Sequence, residues 1–347
     1  MKKYFAVLTT LLTFIAIGAK AQDAHFSQFF AAPQMLNPAL TGALDGRYRV
    51  NAIYRDQWRR SLDEPIKTFG LGADLRFNSP LDKAVQKDAV GVGITFFNDK
   101  VSVIDFSTTQ IGLSLAYHKS LDAAGKQFLS AGFQAGLTQR NITYEALNFQ
   151  DEFNGLNSYT LPTGEDLPAN NFSYGDYNIG ITYTSIFGNG GAFYGGVAMH
   201  HILQPVVSFY ENDSEGDKLY ARYSAQLAAS IPLDRGNRNS LHPRLLAQNQ
   251  GAHFEINAGA NWRAALGQYG EQALHLGAWI RPVRAIDGFV VDAIIPMVGI
   301  ELGSFLIGLS YDLNLSTLTN QRRRSAFELS FTFLGDYDND SILCPKF

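Results

Sequence analysis

Alternation of apolar and polar side chains, repeated over nearly the whole chain, is what most narrows its possible folds. After Gly46 the first such segment sets Tyr48, Val50, Ala52 and Tyr54 against Arg47, Arg49, Asn51 and Arg55. A period of two is the signature of a strand with one apolar and one wet face. The pattern returns over Ile66 to Phe77, Ala89 to Phe97, Phe106 to His118, Phe128 to Gln139 and Tyr174 to Ser185. It continues through Ala192 to Ile202, Leu219 to Ile231, Pro243 to Asn249, Phe254 to Trp262 and Ala273 to Ile280. Gly288 to Glu301, Ser304 to Asn314 and Ser325 to Leu334 complete the series. About fourteen strands of roughly ten residues result, the length that crosses a bilayer when tilted.

Alternation alone also fits a soluble sandwich, whose strands bury one face. Three features favour lipid. The pattern persists too far for one sandwich core, and no segment of helical period interrupts it. Aromatic residues also cluster near the ends of apolar faces (Tyr54 and Trp58, Phe69 and Phe77, Tyr177 and Tyr183), as interfacial girdles do. The expected fold is all-β, a transmembrane antiparallel β-barrel of about 14 strands (range 12–16). With both ends in the periplasm, the longest connection, Arg140 to Ser173, falls on the outer side, where barrels keep long loops. The short Ser120-to-Lys126 link falls inside, and Asn78 to Asp88 is a rather long inner turn.

The ends divide off. Lys2 and Lys3, the apolar run Phe5 to Ile17 and the Ala19-Lys20-Ala21 site read as a secretory signal peptide over residues 1–21. The only cysteine is Cys344, so no intrachain disulfide forms and no lipid-bearing cysteine follows the cleavage site. Residues 22–46 are expected to be a lead or plug, residues 47–334 the barrel and 335–347 a tail. Pro33 and Pro38 keep the lead out of the sheet. The net charge of −4 provides no basic field for nucleic acid.

Little in the chain suggests chemistry. His200 and His201 are neighbours, and on a strand they would point to opposite faces, so they are expected to be lumen or interface histidines and not metal ligands. Asp336, Asp338 and Asp340 begin like a calcium loop, but Ser341 and Phe347 stand where glycine and glutamate are needed. The acidic Glu211 to Asp217 stretch and Arg322 to Arg324 read as solvated loops. Nucleophile-elbow, phosphate-loop, dinucleotide and zinc spacings are absent from the sequence, as is a defensible acid–base carboxylate pair. The expectation is a non-enzyme without metal or cofactor. The residues to watch are those that would meet in the lumen: Phe26, Phe29, Phe30 and Asn37 of the lead, and Arg47, Arg49 and Arg55 of the first strand, with Arg59 and Arg60 at its far end. Charges inside a barrel usually pair across it.

The lead and first strand also carry a resemblance. HFSQFF (His25 to Phe30), LNPALTG (Leu36 to Gly42) and YRVNAIYRDQW (Tyr48 to Trp58) resemble the N-terminal signature of the PorP/SprF family of type IX secretion system membrane proteins. The likeness continues in Pro243 to Arg263, Leu274 to Arg281, Ile307 to Leu318, Ser325 to Phe333 and the closing Cys344 to Phe347, while Tyr144 to Ala169 carries no signature. The Phe-rich strand Phe327, Leu329, Phe331, Phe333 resembles a barrel-assembly signal, although residues follow it. The resemblance implies an outer-membrane accessory component of type IX secretion that supports the secretion or surface anchoring of a large substrate, such as a gliding adhesin with a C-terminal sorting domain. It also implies contact with periplasmic parts of the apparatus, and it supplies no catalytic residues. The alternative is an outer-membrane channel for small apolar or polar solutes.

Overall fold

The computed structural model describes residues 23–59, 62, 64–78, 87–188, 190–210, 217–267, 272–285, 288–315 and 325–335. The expected signal peptide, Arg60, the turn at 79–86, the acidic run 211–216, Arg322 to Arg324 and the tail from residue 336 lie outside the described residues.

The strands are β1 (Tyr48–Gln57), β2 (Ile66–Asn78), β3 (Ala89–Val101), β4 (Phe106–Ser120), β5 (Gln127–Ile142), β6 (Asn171–Phe187) and β7 (Gly191–His200). They continue as β8 (Arg222–Pro232), β9 (Asn239–Gln250), β10 (His253–Leu266), β11 (Gln272–Ala285), β12 (Gly288–Leu302), β13 (Phe305–Asn314) and β14 (Ser325–Gly335). Each pairs antiparallel with its chain neighbours, and β14 closes on β1 with Tyr48 opposite Gly335 and Arg55 opposite Glu328. The result is a closed barrel of fourteen strands.

Burial is inverted relative to a water-soluble fold. Outward residues such as Leu113, Leu137 and Val197 are 64%, 60% and 57% exposed, whereas the inward Glu328 and Asp74 are 0% and 1% exposed. Such an exterior suits hydrocarbon, and the polar interior is the one place these carboxylates can be solvated or paired. No helix among the described residues is long and apolar enough to cross a membrane; the strands do the crossing.

Prolines within strands sit where the ladder gives way. Pro282 lies at the register shift between β11 and β12. Pro243 falls where the β8–β9 register skips from Arg244 to Leu241, and Pro296 where β12–β13 skips from Ile294 to Met297. A residue without an N–H is tolerated at such gaps.

Several strand boundaries differ from the sequence expectation by a few residues, and two show why. The β5–β6 pair runs three residues further at its loop end, to Asn141 opposite Asn171, because polar alternation can continue past the apolar belt. Conversely β7 stops at His200, since His201 takes a left-handed φ of 57°. The long connection between β5 and β6 braces itself. Phe153 bridges Tyr159, and the Asn154 side chain accepts the N–H groups of Leu156, Asn157 and Ser158. The rim carrying this loop is hereafter the long-loop rim; the opposite rim carries the start of β1 and the end of β14.

Candidate functional site

Residues 23–46 do not lead away from the barrel; they cross its lumen as a plug. The segment is not extended either. Three short helical turns, Phe29–Ala31, Pro33–Leu36 and Pro38–Leu40, fold it compactly, and both prolines occupy first helical positions. The prolines therefore start turns as well as barring the segment from the sheet.

The plug enters at the long-loop rim. Asp23 there pairs with His201 (2.6 Å) and Arg222 (3.1 Å), and its backbone N–H donates to Gln250. His201 also pairs with Asp176 at 2.9 Å. Burial opposes charge on both groups, yet their mutual attraction prevails: Asp23, facing His201 and Arg222, is held well below the usual carboxylate range, and Asp23 and Asp176 raise His201 to about 9. His25 is different. Burial pushes it down to about 4, despite Glu255 at 3.6 Å, so it stays neutral at pH 7.

One turn deeper, the plug meets a charge network on β1, β11, β13 and β14. The Glu328 carboxylate accepts the backbone N–H groups of Ser27 (2.7 Å) and Gln28 (2.8 Å). Arg55 pairs with Glu328 and, at 3.0 Å, with Asp312; Arg281 pairs with Asp312 at 2.8 Å and Asp292 at 3.1 Å. The Ser27 hydroxyl donates to Asp312 and accepts from both arginines. Two guanidiniums thus meet Glu328 and Asp312 in a nearly dry site, where removing one partner would strand the others.

The aromatic residues follow. Phe26 packs with Ala31, Ala32 and Ile53 and lies edge-on to Phe97. Phe29 meets Trp279 edge-on, Phe30 stacks on it at 5.5 Å, and the Arg244 guanidinium lies 4.4 Å above the Phe30 ring. Leu36, Leu40, Leu246, Ile295 and Met297 complete this small core.

At the other end most contacts are neutral or shape-driven, with one buried ion pair, Arg49–Asp74, beneath them. Asn37 is fully buried: its carbonyl caps the next turn by accepting from Ala39, and its amide donates to the Val197 carbonyl at 3.1 Å. The plug here lies directly on the wall. A Cβ on Gly180 would overlap the Asn37 amide, and one on Gly132 would overlap the Pro38–Ala39 backbone, so both strands need glycine for this approach. Thr41 hydrogen-bonds Ser114 and, through its carbonyl, His118. Asp74 accepts the Gly42 N–H and a bidentate pair from Arg49, whose guanidinium also donates to Leu40.

Of the seven lumen residues expected from sequence, Phe26, Phe29, Phe30, Asn37, Arg49 and Arg55 meet in this assembly. Arg47 is the exception. It is half-buried at the rim, where its backbone extends the ladder to Gly335 and Arg76. Arg59 is also peripheral, largely exposed and paired with Asp56. The two histidines depart from the expected opposite facing. His200 reaches the Leu36 carbonyl and His201 reaches Asp23, because the strand ends between them. Sequence reading missed Asp23, Ser27, Gln28, Arg281 and Glu328 as a unit. Their partners are up to about three hundred positions away along the chain, and only barrel closure brings them together.

Two cavities flank the plug. One, of about 180 Å³, lies toward the long-loop rim among Phe26, Phe97, Arg140, Tyr174 and His201; the other, of about 210 Å³, lies toward the opposite rim among Phe30, Leu44, Arg49, His242, Arg244 and Arg263. No group of three or more metal-ligating side chains occurs among the described residues.

Among solved structures, the fold is similar to that of the CymD monoaromatic hydrocarbon channel, at 10% identity and a TM-score of 0.51, covering 92% of this chain and 96% of that one. A deltaS2S3 mutant of the TodX monoaromatic hydrocarbon channel is similar at 12% identity and a TM-score of 0.50, covering 88% and 94%. At such identities the likeness concerns the barrel alone. No curated protein matches the chain. Residues 18–333 match the family described as type IX secretion system membrane protein PorP/SprF. With nearly the whole barrel and its plug inside that match, the chain belongs to the PorP/SprF family of outer-membrane barrels.

Proposed function

We propose that this barrel is a plugged, non-enzymatic accessory of type IX secretion that supports the secretion or surface retention of a particular large substrate. The substrate class is one bearing a C-terminal sorting domain, such as a gliding adhesin, and periplasmic parts of the apparatus are further partners. The observation that carries this reading is the plug. Residues 23–46 fill the lumen with buried ion pairs, an aromatic core and close backbone contact, which suits a rigid scaffold better than a conduit. The self-braced loop between β5 and β6 adds a presented surface on a rigid frame, where function tends to reside. In this reading the long-loop rim faces outward and the end of β14 lies at the periplasmic rim; the expectation of two periplasmic ends fails for the plug, whose Asp23 end is fastened at the outer rim by His201 and Arg222.

Purification from native outer membranes under mild detergent should retrieve a large type IX substrate with the barrel; recovery of the barrel alone counts against the proposal. The second reading is a channel for small solutes, favoured by the likeness to the hydrocarbon channels and by the two cavities. Planar-bilayer recording separates them. The accessory reading expects a silent wild type and a conductance after deletion of residues 22–44, whereas steady conductance from the intact chain supports the channel.

A further inference from the structure

The cavity of about 210 Å³ toward the β1-start rim contains one arginine, Arg244, that is not paired with a carboxylate among the described residues, although Asp45 and Glu301 also line the space. Three arginines line it. Arg49 is closed onto Asp74, and Arg263 onto Glu301 at 2.6 Å, with His275 on the same carboxylate at 3.1 Å. Arg244 has no carboxylate partner among the described residues. Its contacts are the Tyr194 hydroxyl and the face of Phe30. A guanidinium carries five donors in a planar fork suited to a carboxylate, and those contacts leave most of them unused.

The surroundings favour an anion with a small apolar body. Phe30 is held flat against Trp279, and Leu44 and Met297 supply further apolar lining beside it. The cavity is too small for a folded partner but large enough for a ring or one side chain, and Gly303 and Ser304 line it at the β12–β13 turn, on the rim itself. The long-loop cavity differs. It also contains an arginine above an aromatic ring, Arg140 over Tyr174, but there Asp23, Asp99 and Asp176 outnumber Arg140 and Arg222, whereas here Arg49, Arg244 and Arg263 outnumber Asp45 and Glu301.

We propose that the cavity around Arg244 binds a carboxylate borne on a small aromatic or apolar group, with Arg244 taking the anion and Phe30 seating the body. The carboxylate can belong to a free acid or to the C-terminus of a peptide. Calorimetric titration of the full chain in detergent tests this with benzoate, its neutral isostere benzamide, and acetyl-Gly-Gly-Phe as free acid or amide. Saturable binding of benzoate is expected, at least tenfold tighter than benzamide and at least tenfold weaker in Arg244→Gln. Arg244→Lys, which keeps the charge without the fork, should fall between. Heat-modified gel mobility checks that the variants are folded; if Arg244→Gln is not, the benzoate-to-benzamide ratio in the wild type decides. Binding of the free-acid peptide but not benzoate assigns the site to chain termini, and the reverse to free acids; either supports the proposal. No saturable binding by any acid, or equal binding of acids and neutral analogues, overturns it.

Discussion

The two ends of the plug are held by different physics. Its head, Asp23 to Gln28, is fastened by charge: an Asp23–His201–Asp176 chain at the rim, then backbone amides on Glu328 inside the Arg55–Arg281 network. Its foot, Asn37 to Gly42, relies mainly on neutral caps and on a wall lowered by Gly132 and Gly180, with Asp74 accepting the Gly42 N–H and Arg49 and Arg76 donating to the Leu40 and Gly42 carbonyls. Charge pairs that are nearly dry hold strongly but respond to proton concentration and to loss of a partner. Close packing responds to volume alone. Head and foot should therefore be separable by experiment, and hydrogen exchange at the Ser27 and Gln28 amides against the Ala39 and Gly42 amides reads each.

The largest separation should come from Arg55→Ala. It leaves Glu328 and Asp312 facing each other with Arg281 alone, a loss of about 3–5 kcal/mol for a buried pair broken from one side. The Ser27 and Gln28 amides should lose protection while Gly42 keeps its own. Equal loss at both ends would show that the plug leaves as one unit.

Raising the pH should act more gently and on the head alone. The folded His201 titrates at about 9 against 6.5 when free, so its contribution is complete below pH 6.5 and disappears as pH rises through 9. That shift corresponds to about 3 kcal/mol. Asp23 runs the other way: its lowered value makes a contribution present above the ordinary carboxylate range and lost only in strong acid. Head protection should thus be level from pH 5 to 6.5 and decline toward pH 9.5, after correction for intrinsic exchange. His201→Gln should abolish the decline. A decline that survives this substitution would place the titrating group elsewhere.

What the sequence made legible divides along similar lines. Alternation is local, so an all-β chain of about fourteen strands and the inward direction of Arg49 and Arg55 were readable from side-chain period, while the barrel itself needed the persistence of the pattern and the aromatic strand ends as well. The lead's aromatic residues pointed to burial, but their partners did not follow, because Trp279 reads as one more aromatic in an alternating strand. His201 shows where period fails: a single residue with positive φ cancels the alternation that would have turned it outward. Glu328 and Asp312 fall on the polar faces of alternating strands like other carboxylates, and their role as acceptors for the plug exists only once β14 has closed on β1. The Gly132 and Gly180 contacts were equally hidden, since glycine recurs on many of these strands for other reasons.

At the foot, Gly132→Val tests volume directly. Its side chain must displace the Pro38–Ala39 backbone, at about 1–3 kcal/mol for overpacking. Protection at Ala39 and Gly42 should fall while Ser27 and Gln28 hold, the mirror image of Arg55→Ala, and heat-modified gel mobility should shift only slightly.

The smallest effect belongs to Asn37→Ala, which removes the cap on Ala39 and the donor to Val197 without adding volume or charge. A lost cap is worth about 1 kcal/mol, up to about 2 where the group is buried. Alanine leaves room beside Gly180, so the wall contact relaxes where valine at Gly132 would strain it. Exchange at Ala39 should then rise by roughly tenfold for each 1.4 kcal/mol lost, with Gly42 affected less because Asp74 holds it separately. If Ala39 and Gly42 rise together, the foot is one cooperative turn anchored at Asn37. If Ser27 rises with them, the division into a charged head and a packed foot fails, and the plug is a single element held wherever it is weakest.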